Sequence, residues 1–204
     1  MSFEPDLKRR IVREAANLLY LGIEKEYKQA KEKAAKTFGS RSLPSNIEIA
    51  LELDLISEEK EGESRKENLV KKRRESLRIM KILEDFNPLL IGSVWRGNIN
   101  QKSDIDIIVY HDIPAEILLL LKKKDFQISR TKRVSVTKKG FFEGSYHIYL
   151  TDLDKQTIEI SVRNQDQIFI VKKCDIFGDK IVGLKIKDLE KVLKEDPTKK
   201  FFAN

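Results

Sequence analysis

Two carboxylates in this chain stand at a spacing that suits metal-assisted chemistry. Asp104 and Asp106 are two residues apart in a segment, 104–110, whose polar and apolar residues alternate and predict a β-strand. Residues two apart on a strand point to the same face, with Cα atoms about 6.6 Å from each other. Two like charges on one face repel, so we expect a cation partner. This spacing suits carboxylates that share one Mg²⁺ or two ions ~3.5–4 Å apart.

A Gly-Ser turn precedes the two aspartates. Gly92 and Ser93 follow a short apolar run, 88–91, that predicts a buried strand. Glycine permits a close approach of the backbone, and a hydroxyl together with turn amides can contact a phosphate. Arg96 adds a planar donor group that suits phosphate oxygens. A Gly-Ser turn and an Asp-x-Asp strand are each common alone, so the prediction depends on their order and spacing.

The turn and the strand together carry a family resemblance. The residues that carry it are Gly92, Ser93, Arg96, Gly97, Ser103, Asp104 and Asp106. Their order resembles the signature of the DNA polymerase β-like nucleotidyltransferase superfamily, in particular its minimal nucleotidyltransferases. The resemblance covers 92–109 directly and, by topology, about 87–163. It implies that Asp104 and Asp106 are ligands of two Mg²⁺ ions, with Mn²⁺ as an alternative. It also implies a binding site for a nucleoside triphosphate formed by Gly92, Ser93, Arg96 and Ser103.

Members of this superfamily use a third carboxylate on a later strand, and Glu159 is the candidate here. Apolar residues at 158, 160 and 162 predict a strand with one face in the core, which leaves Glu159 on the opposite, polar face. Glu159 would act as a third metal ligand or as the base for the attacking hydroxyl; an ordinary exposed strand residue is the alternative. The competing acids are Glu143, Asp152 and Asp154. His147 either points into the same cleft or is a partly buried strand residue.

The resemblance also implies a reaction. An acceptor group would attack the α-phosphate of a nucleoside triphosphate, such as ATP, and release pyrophosphate. The acceptor stays open between an RNA such as tRNA, a protein hydroxyl and a small molecule. Two alternatives remain: a non-catalytic nucleotide- or RNA-binding protein on the same scaffold, and a protein-modifying nucleotidyltransferase of the toxin–antitoxin type.

Positive charge is concentrated in two segments. The chain has 40 Lys and Arg against 33 Asp and Glu, a net charge of +7. Segment 122–139 holds eight basic residues and one acid, and a second basic cluster lies within 63–81. Focused positive charge favours an anionic partner such as a polynucleotide. The alternative is that these residues only form a solvated helix face and a solvated hairpin. The candidate nucleic-acid contacts are Lys122, Lys123, Lys124, Arg130, Lys132, Arg133 and Arg163.

The periodicity of the chain changes near residue 87. Residues 1–86 have a helical period and predict four helices, near 6–22, 24–38, 47–59 and 63–85. The remainder predicts helices at 114–124 and 186–194 and strands at 88–91, 104–110, 126–137, 146–151, 157–163 and 168–171. The fold class is therefore α+β. An all-α domain, 1–86, precedes a nucleotidyltransferase domain, 87–204, with a mixed sheet and flanking helices.

Composition excludes several classes of protein. The single cysteine, Cys174, excludes an intramolecular disulfide framework and a multi-cysteine zinc site. A membrane-spanning helix needs about 20 predominantly apolar residues, and the sequence has no such run. The charged N-terminal residues are not followed by the apolar stretch of a signal peptide. We therefore expect a cytoplasmic protein with no membrane partner.

Overall fold

The computed structural model describes residues 3–138, 141–151 and 156–202. Its α-helices are α1 (Phe3–Tyr20), α2 (Tyr27–Thr37), α3 (Asn46–Glu61), α4 (Glu63–Ile82), α5 (Gly92–Arg96), α6 (Pro114–Lys123) and α7 (Ile186–Glu195). Its strands are β1 (Leu89–Ile91), β2 (Ile105–Tyr110), β3 (Gln127–Lys138), β4 (Phe141–Thr151) and β5 (Thr157–Arg163). The predicted α+β class is confirmed. Of the described helices, none combines the length and apolar character that a bilayer crossing requires.

Helices α1 to α3 pack around a hydrophobic cluster of their own. The cluster contains Ile11 and Ala15 of α1, Ala34 of α2, and Ile49 and Ile56 of α3. The predicted capping box begins α3: the Ser45 hydroxyl accepts from the Glu48 amide, and the Glu48 carboxylate accepts from the Ser45 amide. Helix α1 begins at Phe3, before the predicted start at residue 6.

The sheet has the strand order β1-β2-β5-β4-β3. Strands β2 and β5 run parallel, and the other neighbouring pairs are antiparallel. Alternation buries one face, where residues such as Ile107, Ile160 and Ile148 join the second hydrophobic cluster with parts of α4 to α7. Residues of the opposite parity, among them Asp106 and Glu159, therefore share the other face.

Helix α4 packs with the sheet, and its basic residues are divided between interior and surface. Its apolar residues Leu69 and Met80 belong to the same cluster as the strands. Arg65, Lys72 and Arg73 are buried, whereas the other basic residues of the cluster are exposed, so only part of the cluster is a solvated helix face: Lys66, Lys71, Arg74, Arg78 and Lys81. The division into domains at residue 86 stays a prediction.

The prediction of a strand at 168–171 is wrong. Residues Gln165–Phe169 form a 3₁₀ helix instead. Local backbone hydrogen bonds close its turns: the Gln167 amide donates to Asn164 O, and the Ile170 amide donates to Gln167 O. The Asp112 carboxylate also accepts from the Gln165 amide at 3.0 Å and fixes the start of this turn.

Arg73 joins α4 to α5 and to the C-terminal segment. Its side chain is fully buried, and it donates to four backbone carbonyls at 2.8–3.1 Å: Val94, Trp95, Pro197 and Lys199. Burial lowers the pKa of Arg73 to about 10, so it keeps its charge at neutral pH. The carbonyl dipoles take the place of a carboxylate as partners for this cation.

We expect Arg73→Met to lower the free energy of unfolding by at least about 3 kcal/mol, because four carbonyls lose their donor. Arg74→Met is the matched control, since Arg74 is the next residue of the same helix and is exposed. Its effect should stay within about 0.5 kcal/mol. Urea unfolding of both variants measures the difference, and equal losses would contradict the role assigned to Arg73.

Candidate active site

Three carboxylates converge where β2 and β5 begin. The parallel register sets Asp106 directly opposite Glu159, and Asp104 immediately precedes β2 on the same face. The β1 register in turn sets Ile91 opposite Asp106, which brings the Gly-Ser turn to the same point. The structure thus brings together Gly92, Asp104, Asp106 and Glu159, which lie up to 67 positions apart in sequence.

The pKa values of both aspartates are raised, chiefly by burial. Burial, together with the charges of Glu159 and Asp104, raises the pKa of Asp106 to about 7. Burial of its carboxyl group likewise raises the pKa of Asp104, although much of that residue is exposed. The charge of Lys72 opposes this shift, and that of Glu159 adds to it. The site therefore carries negative charge that the protein compensates only in part.

Position 92 requires glycine because the backbone there lies against the Asp106 carboxylate. Its φ of +71° lies in the left-handed region, and a Cβ built on it would overlap the Asp106 carboxylate. Only glycine allows the backbone to pass this close to the carboxylate without strain. Ser93 follows, half-buried, in the first turn of α5.

Hydrogen bonds hold Glu159 in position. His147 Nδ1 lies 2.5 Å from Glu159 Oε1, and His147 Nε2 lies 2.7 Å from the Ser145 hydroxyl. Tyr149 is opposite Glu159 in the antiparallel register and donates a hydrogen bond to its carboxylate. Burial, followed by the Glu159 charge, raises the pKa of the Tyr149 hydroxyl. His147 therefore points into the cleft, which is one of the two alternatives that the sequence leaves open.

Lys72 is the site residue that sequence reasoning misses. Its side chain is buried, its Nζ donates to Gln156 Oε1 at 3.1 Å, and its charge acts on Asp104. A signal for it exists in the helical period, because Lys72 lies three residues after Leu69 and four before Ser76, on the buried face of α4.

The loop that leads to the aspartates is tied to the N-terminal helices. Arg65 donates to Ile99 O at 2.7 Å, and the Gln101 amide donates to Glu61 Oε1 at 3.0 Å. Ser103, a predicted nucleotide-binding residue, accepts from the Asn100 amide at 2.9 Å. In this structure the Ser103 hydroxyl thus shapes the loop.

The Arg96 side chain contacts the C-terminal part of the chain. It is buried, forms an ion pair of 2.6 Å with Asp179, donates to Phe201 O, and stacks on the rings of Trp95 and Phe177. Among the described residues, these partners do not include the three carboxylates. The structure therefore does not bring Arg96 together with the site, contrary to the phosphate contact predicted for it.

The candidate nucleic-acid contacts fall on different surfaces. The register sets Arg130 opposite Tyr149 and Lys132 opposite His147, on the face of the carboxylates. Arg163 has the parity of Glu159 and shares that face. Arg133 is on the other face, opposite Tyr146, and Lys122, Lys123 and Lys124 are exposed at the end of α6. Of the competing acids, Asp152 and Asp154 lie outside the described residues, as does the side chain of Glu143.

The donor chemistry of the site fits a divalent cation. Mg²⁺ and Mn²⁺ prefer oxygen ligands, which the three carboxylates supply. A cation would also offset the burial and the repulsion that together raise the pKa of Asp106. Among the residues that the structure describes, no group of three or more His, Cys, Asp or Glu already has the compact arrangement of a metal centre.

Comparisons with known proteins agree with this geometry. The family model described as "Nucleotidyltransferase domain" matches residues 70–191, more than half of the chain. No curated protein matches the chain significantly.

Two solved structures are similar to parts of the chain. One is titled "Structural Basis for the Activity of a Cytoplasmic RNA Terminal U-transferase" and matches with 19% identity and a TM-score of 0.31. That match covers 60% of this chain and 36% of the other. The second is a structure of the GLD-2/RNP-8 complex, with 14% identity, a TM-score of 0.26, and coverage of 52% and 49%. The chain thus spans less than half of each.

We expect Asp106→Asn to stabilise the metal-free protein at high pH. The pKa of Asp106 is about 7 in the folded state against 3.8 for the unperturbed group, so the folded state binds this proton more tightly. Stability contributed by that proton is present below pH ~4 and is lost as the pH rises towards 7. Asparagine carries no charge and avoids this loss.

Urea unfolding in EDTA measures the effect. Asp106→Asn should be more stable than the parent protein by roughly 1–3 kcal/mol at pH 8, with little difference at pH 4. Asp125→Asn, an exposed aspartate outside the site, should show neither effect. A difference that is independent of pH would contradict the assignment.

We also expect Gly92→Ala to disturb the carboxylates specifically. Gly178→Ala is the matched control, because Gly178 has a similar φ of +74° but open space where its Cβ would lie. Both variants should lose about 1–2 kcal/mol of stability through left-handed strain. Only Gly92→Ala should also weaken Mn²⁺ binding, by roughly tenfold or more (about 1.4 kcal/mol), in calorimetric titrations. Equal Mn²⁺ affinities would show that the contact with Asp106 is unimportant.

Proposed function

Because the chain belongs to the nucleotidyltransferase domain family, we propose that it transfers a nucleoside monophosphate from a nucleoside triphosphate to an acceptor, with release of pyrophosphate. The family match confirms the resemblance that the Gly-Ser and Asp-x-Asp residues indicate. The observation that carries the proposal is the convergence of Asp104, Asp106 and Glu159 beside Gly92.

Members of the superfamily typically use divalent metals. In this proposal the carboxylates of Asp104, Asp106 and Glu159 hold two Mg²⁺ ions, or Mn²⁺ in their place. When bound, such ions neutralise phosphate charge and lower the pKa of a coordinated hydroxyl. The burial of Asp106 beside the charges of Glu159 and Asp104, which raises its pKa to about 7, supports this assignment, because a bound cation would offset both effects.

Different residues of the chain then have different roles in the reaction. The backbone at Gly92 and the hydroxyl of Ser93 contact the triphosphate from the Asp106 side. A hydroxyl oxygen of the acceptor forms a bond to the α-phosphorus, and the bond from that phosphorus to the bridging oxygen breaks, so that pyrophosphate leaves. Glu159 accepts the proton of the hydroxyl, and the hydrogen bonds from His147 and Tyr149 keep its carboxylate aimed at the acceptor.

Transfer of label from α-³²P nucleotides tests the proposal. Incubation with Mg²⁺ and each of the four triphosphates, with and without total RNA, should move label to an acceptor. Asp104→Asn with Asp106→Asn should reduce transfer by at least about 10³-fold, because it removes two of the three carboxylates that would hold the metal ions. Asp112→Asn, at an exposed aspartate outside the carboxylate group, should retain full activity.

The outcome also separates the alternatives. Label in RNA supports an RNA acceptor, and label in protein supports a protein-modifying enzyme. If no label reaches any acceptor and the double variant binds nucleotide as the parent protein does, the proposal of an enzyme is contradicted. The remaining alternative is then a nucleotide-binding protein on the same scaffold.

A further inference from the structure

A basic recess adjoins Asp104. It measures about 470 Å³ and lies between α4, the loop before β2 and the start of β5. Three lysines and one carboxylate line it: Lys71, Lys72, Lys102 and Asp104. Gly92 and Ser93 are not among its lining residues. Of the three carboxylates, Asp104 is the one that lines this recess.

The recess continues along the surface of α4. A second recess of about 550 Å³ shares Lys71 and Gln156 with the first and adds Arg74 and Arg78. Its two acids are Glu67 and Glu75, and Glu75 is engaged by Arg78 at 2.6 Å. We call these two recesses together the α4 groove. Its cations outnumber its carboxylates, and Lys71, at one end of the row of cations along α4, lines the same recess as Asp104.

The length of the α4 groove indicates what kind of anion it fits. Residues 71 and 78 are about 10 Å apart along the helix axis, at 1.5 Å per residue. A single phosphate would contact one end of this row, whereas a strand with a phosphate at every nucleotide can contact all of it. Lys71, Arg74 and Arg78 are exposed, so they can reach a polyanion at the surface.

We infer that the α4 groove binds the phosphate backbone of a nucleic-acid strand and directs its end to the carboxylates. This inference rests on the proposed function, because it assigns the second substrate of the same site. A transferase must bring two substrates to one set of carboxylates. The Gly-Ser turn serves the triphosphate from the Asp106 side, and the α4 groove serves the acceptor from the Asp104 side.

The α4 groove lies in the basic cluster within 63–81, and the other basic segment, 122–139, is the alternative surface. Lys122 and Lys123 lie at the exposed end of α6, and Arg130 and Lys132 lie on the carboxylate face of the sheet; none of these four lines the α4 groove. The two surfaces therefore predict different variants to be defective, and one binding experiment distinguishes them.

The experiment is fluorescence anisotropy with a labelled 12-nucleotide oligouridylate, in EDTA and without nucleotide. Lys71→Ala with Arg74→Ala should bind at least about tenfold more weakly at low salt. Its plot of log affinity against log salt should be shallower by about 1.4, because two phosphate contacts are lost. Lys187→Ala with Lys191→Ala, two exposed lysines of α7, is the matched control and should bind as the parent protein does.

Three results would overturn the inference. The first is unchanged binding by the α4 variant, and the second is an equal loss in the α7 control or in Lys122→Ala with Lys123→Ala. The third is displacement of the oligonucleotide by polyglutamate of equal charge as readily as by unlabelled oligouridylate, which would indicate an acidic peptide instead.

The test is independent of catalysis, because binding is measured without turnover. If the protein binds the strand through the α4 groove but transfers no label, the proposed reaction fails and the groove stands. If label is transferred while the α4 variant binds normally, the groove fails and the reaction stands. Affinity of the α4 variant for a fluorescent ATP analogue should be unchanged.

Discussion

Like charge at one end of the sheet is the constraint on which the rest of this structure depends. Parallel pairing of β2 with β5 forces Asp106 against Glu159, and Asp104 adds a third carboxylate at the same edge. Such charges repel most strongly where burial reduces screening, as the pKa of about 7 for Asp106 indicates. The surroundings compensate in three ways: a buried lysine, Lys72, lies near Asp104; His147 and Tyr149 hydrogen-bond to Glu159; and Gly92 leaves room at Asp106.

Keeping those charges together requires a rigid loop before β2, and distant parts of the chain supply the rigidity. Arg65 of α4 fixes Ile99 O, and Glu61 of α3 fixes the Gln101 amide. On the other side of α5, Arg73 connects that helix to the C-terminal segment. The helices before residue 70 lie outside the family match, yet they contact the signature loop directly. These contacts help to position the loop.

Sequence reasoning succeeded where local periodicity determines the structure. The alternation at 158–162 gave the correct face for Glu159, and Ser45 and Glu48 gave the start of α3. It failed where partners come from far away. A guanidinium four residues after Gly92 resembles a phosphate ligand, but the ion pair with Asp179, 83 positions later, turns Arg96 elsewhere.

Helix α4 shows why counting charges along a sequence does not locate surface charge. Successive residues of a helix turn by about 100°, so four consecutive cations point in different directions. Lys71 and Arg74 are exposed, Lys72 is buried beside Asp104, and Arg73 is buried among carbonyls. The same helix thus offsets carboxylate charge from inside the protein and offers positive charge to an anion outside it. Lys72 acts on Asp104 from inside the protein, and Lys71 lines the same recess as Asp104. The electrostatics of the site therefore depend on the rotation of α4 about its axis as much as on its composition.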